Sequence, residues 1–167
     1  MIDLDEKLIG EADVKSTPTY FSVQRTSPFT KDDTPIPFDI ALINTGKAMN
    51  LSSGIFTAPV AGIYSFSFHG LVEFQATQSA AIPFLAVGLF VNNERVALAL
   101  NEESNTRMIN NKGQRSPLSL TTTIVLQKGD QVWLDMFAKS GVISLYDNAN
   151  RHTDFTGWLV HEYLVSQ

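Results

Sequence analysis

Apolar and polar residues alternate along most of the chain from Tyr20 onward, which is the period of a β-strand with two different faces. The stretch GIFTAPVAGIYSFSF, residues 54–68, shows this clearly, because Tyr64, Phe66 and Phe68 fall at spacing two. No helical pattern of normal length competes with it. We predict eight strands, near residues 20–25, 36–43, 54–72, 84–91, 94–100, 115–127, 131–137 and 155–164.

Short connections between these segments indicate antiparallel neighbours. Asn92-Asn93 suits a two-residue type I′ turn, because Asn tolerates positive φ, and residues 128–130 suit a three-residue hairpin. If the strands reverse at every step, both termini lie at one end, the proximal end, and alternate connections lie at the distal end. We expect ligand contacts at the distal end, although long loops also simply tolerate insertions. The distal connections cover about residues 26–35, 73–83, 101–114 and 138–154.

The two faces of the strands follow from the same period. One side of three strands carries regular apolar rows, such as Val132, Leu134 and Met136, which are predicted core rows. The opposite sides carry more apolar area than a fully solvated face usually shows. We therefore expect these sides to be covered as well, by sheet packing or by neighbouring subunits. These opposite-side residues are Phe90, Val125, Trp133, Phe137, Trp158 and Val160.

Length and composition narrow the class of protein. The 167 residues are 44% hydrophobic and 17% charged, which suits one folded domain. The net charge is −5 and no Lys/Arg run occurs, which argues against nucleic acid as a partner. No apolar stretch approaches the roughly 20 residues of a membrane-spanning helix, so we expect no membrane insertion. Because the chain has no cysteine, it has no disulfide, zinc–thiolate site or thiol nucleophile.

Catalytic motifs are weak in this sequence. There is no G-x-S-x-G elbow, and His69, His152 and His161 lie on separate segments, so we predict that the protein is not an enzyme. The sequence has no H-x-H pair of the kind that a cupin-like metal site uses.

The start of the chain is a separate segment in this interpretation. Residues 1–18 are either a frayed terminus or the last turns of a helical stalk, and residues 19–167 form the globular head. The first ten residues, MIDLDEKLIG, lack the basic and apolar regions of a signal peptide. The chain is therefore either intracellular or a mature fragment whose leader was removed.

Eight spaced residues resemble the signature of a known family, the globular head of complement C1q, which is related to the tumour necrosis factor fold. The signature is Phe, five residues, Asn or Asp, four residues, an aromatic or Leu, six residues, Phe, five residues, and then Gly-x-Tyr-x-Phe-x-aromatic. Only Met49 departs from it, and Met is an adaptable apolar filler. The segments YFSVQR, GDQVWL, SLYD and FTGWLV also resemble family strands, in the right order. The signature falls on Phe38, Asn44, Met49, Phe56, Gly62, Tyr64, Phe66 and Phe68.

The resemblance, which is to invertebrate-type members, implies an all-β jelly-roll sandwich of about ten antiparallel strands. It implies a homotrimer, often attached to a collagenous or coiled-coil stalk, that is secreted and binds protein or glycan ligands polyvalently in innate immune, lectin-like or complement-like recognition. The alternative is a cytokine-like ligand for a cell-surface receptor. The residues assigned to the structural core are Phe38, Asn44, Phe56, Gly62, Tyr64, Phe66, Phe68, Trp133, Phe155 and Gly157.

Charged residues of both signs in the distal loops are the candidate ligand-binding residues. A mixed rim suits protein or glycan partners better than a single polyanion, although any solvated rim carries mixed charge. The candidates are Lys31, Asp32, Asp33, Glu102, Glu103, Arg107, Lys112, Asp147, Arg151 and Asp154.

No cofactor or resident metal is predicted, and calcium is left open. Several relatives bind calcium near the trimer apex, and the distal loops offer oxygen ligands, but the 101–114 loop lacks the Asp of calcium-binding relatives. Asn50-Leu51-Ser52 is an N-glycosylation sequon that would be used only in a secreted protein.

Overall fold

The computed structural model describes residues 18–76, 81–103 and 114–163, and all regular secondary structure within these ranges is β-strand. The predicted N-terminal segment lies outside the described residues, apart from Pro18. The all-β prediction is confirmed. The strands are β1 (Tyr20–Gln24), β2 (Ile40–Thr45), β3 (Met49–Asn50), β4 (Ile55–Thr57), β5 (Gly62–Phe74), β6 (Phe84–Val91), β7 (Glu94–Glu102), β8 (Arg115–Leu126), β9 (Gln131–Ser140), β10 (Val142–Tyr146) and β11 (Asp154–Glu162).

The strands form two antiparallel sheets that pack as a jelly-roll sandwich, as predicted. In the first sheet β5 pairs with β8 along one edge and with β11 and β10 along the other, and β1 and β2 follow beyond β11. The second sheet has the order β3, β4, β9, β6, β7.

The aromatic row of β5 fills the space between the sheets. Tyr64, Phe66 and Phe68 are each 0% exposed. The Phe66 ring lies with its centroid 5.6 to 6.4 Å from four other rings, those of Phe21, Phe56, Tyr64 and Phe155. Because aromatic side chains bury large apolar areas, this cluster dominates the core.

The residues assigned to the core from the sequence are buried, with one exception. Asn44 is only partly buried, and its side chain instead braces a turn: Nδ2 donates to the Met49 carbonyl at 2.7 Å, and Oδ1 accepts from the Met49 N–H at 3.2 Å. Gly157 leaves no room for a side chain, because a Cβ there would press against the rings of Phe21 and Phe66.

Three strand predictions need correction. The predicted strand 54–72 is two strands, because the chain crosses between the sheets around Pro59. The predicted strand 36–43 begins only at Ile40, since Pro35 and Pro37 lack the N–H groups of a regular ladder. The predicted connection 138–154 contains β10, which follows a tight turn at Gly141 with φ of 62°.

The two ends of the sandwich are arranged as predicted. Asn92 and Asn93 adopt φ of 48° and 73°, as a type I′ turn requires, and Gly129 has φ of 92° in the second tight turn. Strand registers place these turns at the end of the sandwich where β5 begins. The connections after β1, β5, β7 and β9 all leave the opposite, distal end.

Candidate functional site

A buried arginine holds the first distal loop, which joins β1 to β2. Arg25 is buried, its Nε donates to the Ser27 carbonyl at 3.2 Å, and its Nη1 donates to the Pro37 carbonyl. The guanidinium lies 5.2 Å from the centre of the Phe29 ring. Burial lowers the pKa of Arg25, while the carboxylate of Asp39 opposes that shift. These contacts join both ends of the loop to one side chain.

A buried aspartate holds the last distal loop, residues 147–153. Asp147 is 2% exposed, and its Oδ1 accepts the N–H groups of Asn148 at 2.7 Å and His152 at 2.9 Å. Its Oδ2 accepts the N–H of Thr153 at 2.8 Å. The sequence suggested Asp147 as a ligand-binding residue, but burial and these hydrogen bonds give it a structural role.

Replacing Asp147 by alanine is expected to lower the free energy of unfolding by about 2–4 kcal/mol, because buried N–H groups would lose their acceptor. Asp154→Ala is the control: its Oδ1 lies 3.2 Å from His69 Nδ1 in a partly exposed pair, for which we expect about 1 kcal/mol or less. Urea titration followed by far-UV circular dichroism measures both. Equal losses would contradict the structural role of Asp147.

The remaining candidate residues do not form one described cluster. Asp32 pairs with Lys139 at 2.8 Å, and Lys139 Nζ also donates to the Thr30 carbonyl at 2.7 Å. Glu102 ends β7, and the N–H of Glu103 donates to the Pro83 carbonyl at 3.0 Å. The exposed distal candidates are therefore spread over several loops.

Four of the distal-loop candidates are cations. Two of them are exposed, and two lie outside the residues that the structure describes. Lys31 is exposed, and Arg151 is exposed in the left-handed region with φ of 59°. Arg107 and Lys112 lie outside the described residues.

Asp33 differs from the other candidates, because it lies against the outer face of the second sheet. Its N–H donates to the Met136 carbonyl of β9 at 3.2 Å, and Pro35 forms an isolated bridge with Asp135. Asp33 and Asp135 line an open cleft of about 370 Å³ beside Phe90 and Trp133. Asp135 was missed from the sequence, although a lone charge within the apolar strand QVWLDMF was a usable signal.

The described residues offer no cluster of metal ligands. Residues 18–76, 81–103 and 114–163 contain no group of three or more His, Asp or Glu that could hold a metal ion. Calcium stays the alternative that the sequence leaves open.

No described helix is long and apolar enough to cross a membrane.

The sequence profile of the C1q domain matches residues 20–160. This chain belongs to the C1q domain family. Among curated relatives, human complement C1q tumor necrosis factor-related protein 2 is 31% identical to this chain over 145 residues, which are 87% of this chain and 45% of that protein. The Mus musculus collagen alpha-1(X) chain is 33% identical to it over 141 residues, 84% of this chain and 18% of that one.

A third relative, Caprin-2 of Danio rerio, is 32% identical over 146 residues, 85% of this chain and 14% of the relative. The chain thus spans less than half the length of these curated relatives.

Solved structures support the same fold. The globular domain of zebrafish complement 1qA protein matches with a TM-score of 0.64 and 22% identity, covering 87% of this chain and 99% of that one. The Eiger TNF of S. frugiperda matches with a TM-score of 0.65 and 9% identity, covering 90% and 98%.

Proposed function

We propose that this C1q domain is a secreted, non-enzymatic recognition module that forms a homotrimer and binds protein or glycan ligands polyvalently through its distal loops. The observation that carries the proposal is the anchoring of two of those loops, the first by Arg25 and the last by Asp147, which are both buried. Loops held in this way present exposed charges from a rigid base, as binding loops generally do. Extracellular location is proposed from the likeness to a relative that is named as a collagen chain.

Two different apolar surfaces support the trimer. A ring of three identical subunits needs two unlike, complementary surfaces on each subunit, because its contacts are head to tail. One surface is the outer side of the first sheet, and the other is the row of exposed apolar residues on edge strand β7. The first includes Tyr20, Ile43, Val125 and Val160, and the second consists of Val96, Leu98 and Leu100.

A trimer would make weak contacts useful. When three copies of the distal rim engage one surface together, the overall affinity rises by a factor of about 10²–10⁴ over a single contact. The exposed rim includes both cations, Lys31 and Arg151, and anions such as Glu102. This mixture suits protein or glycan surfaces that carry both signs.

The distal double variant Lys31→Ala/Arg151→Ala tests the location of binding. We expect at least about a tenfold loss of binding to bacterial and yeast cells, since removing one or two charged contacts of about 1.4 kcal/mol in total has that effect. The matched control is Lys47→Ala/Lys128→Ala at the proximal end, with equal charge loss; Lys47 has φ of 54°, close to the 59° of Arg151. Flow cytometry with labelled protein measures binding. An equal loss in both double variants would contradict distal recognition.

The second candidate function is a cytokine-like ligand for a cell-surface receptor. The likeness to a relative named for both C1q and tumor necrosis factor favours it as an alternative. Saturable binding to one receptor protein on host cells, without binding to microbial cells, would select this function over the first.

A further inference from the structure

The outer face of the second sheet carries a cleft to which the first distal loop contributes only Asp33 and Pro35. Its floor is formed by β6 and β9, and the segment containing Asp33 and Pro35 forms one wall. The cleft has a volume of about 370 Å³, enough for a small ligand or one long side chain. None of the residues assigned above to the two subunit-contact surfaces lines it.

Two aromatic rings form the apolar part of this cleft. Phe90 and Trp133 are cross-strand partners, and their rings are nearly parallel, with centroids 6.0 Å apart and 7° between the planes. An aromatic ring attracts a cation that lies over its face, through the ring quadrupole.

Two carboxylates form the charged part of the cleft. Asp135 is 8% exposed, and its Oδ1 accepts the Thr34 N–H at 3.1 Å. Within the described ranges Oδ2 has no hydrogen-bond partner, and neither does the side chain of Asp33. Burial raises the pKa of Asp135, and the negative charges of Asp33 and Asp32 add to that shift. A cation in the cleft would form a charge-assisted contact with this carboxylate.

The nearby cations are engaged elsewhere. Lys139 pairs with Asp32 at 2.8 Å, and the Arg95 guanidinium lies over the Phe137 ring, 4.6 Å from its centre. Neither Lys139 nor Arg95 lines the cleft, whose polar residues are two carboxylates and the amides of Asn93 and Gln131. The lining therefore has negative charge and two aromatic rings, and carries no positive charge.

We propose that this cleft binds an organic cation, a primary or methylated ammonium group, between the Phe90 and Trp133 rings and the carboxylates of Asp33 and Asp135. The carboxylates would neutralise the ammonium, and the rings would contact its methylene or methyl groups. The group could belong to a free amine or to a lysine side chain of a protein ligand, because both present the same chemistry. The site does not depend on assembly.

Nuclear magnetic resonance of the ¹⁵N-labelled protein tests this proposal directly. The chain has two tryptophans, so the indole N–H of Trp133 reports on the cleft and that of Trp158, on the first sheet, is an internal control. Choline and Nα-acetyl-lysine methylamide are the two cationic probes, one for each source. The matched neutral probe is 3,3-dimethylbutan-1-ol, which has the shape of choline without its charge.

We expect choline or the lysine derivative to shift the Trp133 signal with a dissociation constant of about 1 mM, as befits a ligand of few atoms. The neutral probe should bind at least tenfold more weakly. A shift by choline alone indicates a methylated amine, and a stronger shift by the lysine derivative indicates a protein ligand.

Asp135→Asn keeps the size of the side chain and removes its charge. It should weaken binding at least tenfold, yet unfold at no lower temperature at pH 7, because a carboxylate with a raised pKa lowers the stability of the folded state at neutral pH. Glu94→Gln is the control, with the same change of charge beside the cleft but outside its lining, and should weaken binding far less.

Three results would overturn the proposal. Equal binding of the neutral probe would show that charge plays no part. Unchanged choline binding by folded Asp135→Asn would remove the carboxylate from the site. If N-acetylglucosamine shifts the indole N–H signal of Trp133 and neither cationic probe does, the two aromatic rings bind sugars instead.

Discussion

Replacing Phe66 by alanine is expected to lower the free energy of unfolding by about 3–5 kcal/mol. The ring is completely buried and contacts four other aromatic rings, so its removal costs apolar burial and leaves a cavity among side chains that cannot easily move. A loss of this size is a large part of the 5–15 kcal/mol that typically stabilises a domain, and it would lower the melting temperature by roughly 10 °C.

The adjacent residue supplies a matched control for this variant. Ser67 lies next to Phe66 on the same strand but points to the opposite face, where its hydroxyl is 3.2 Å from that of Thr121. We expect Ser67→Ala to cost about 1 kcal/mol or less. Both variants are compared by urea titration at one fixed protein concentration, because assembly would make stability depend on concentration. A small effect of Phe66→Ala would contradict the placement of this aromatic row in the core.

Replacing Leu98 by aspartate is expected to convert the proposed trimer into monomers. Leu98 is 50% exposed on edge strand β7, so the charge should cost little in the folded monomer. In an assembled ring each introduced carboxylate would instead be buried against an apolar face of the next subunit, with no cation to pair with it. This burial costs about 3–5 kcal/mol for each subunit contact. We expect the dissociation constant of the trimer to rise at least about 100-fold. Binding to microbial cells should fall as the trimer is lost.

Thr57→Asp is the control for Leu98→Asp, because it adds the same charge to an exposed position on the same sheet. Thr57 lies on β4, which β9 and β6 separate from β7. Sedimentation velocity over a dilution series measures the assembly of both variants. If Leu98→Asp remains trimeric, or if both variants dissociate equally, β7 is not a subunit contact.

Much of the scaffold could be predicted from the sequence because its determinants are local. The spacing of Tyr64, Phe66 and Phe68 identifies a strand with one buried face, and positive φ at Asn92 and Asn93 follows from residue type. Strand β10 was missed because residues 138–154 were interpreted as one long loop. In the structure, Gly141 forms a tight turn within that segment, and β10 follows it directly.

The candidate site was less predictable from the sequence. Whether a loop carboxylate is buried or exposed depends on contacts with residues that are distant in the sequence. Asp147 and Asp154 look alike in sequence, yet Asp147 is buried among backbone N–H groups and Asp154 is partly exposed beside His69. Asp33 reaches the outer cleft only because its segment pairs with β9, about 100 residues later in the chain. Trp133 is buried as predicted, but at the floor of a cleft rather than between the sheets.

The mass of the protein in solution tests the central proposal, polyvalent recognition by a trimeric head, most directly. Size-exclusion chromatography with multi-angle light scattering at micromolar concentration measures this mass without any ligand. We predict a single species of three times the chain mass of 18.4 kDa. A species of 18.4 kDa at every micromolar concentration would contradict polyvalent binding, because one head alone has no avidity.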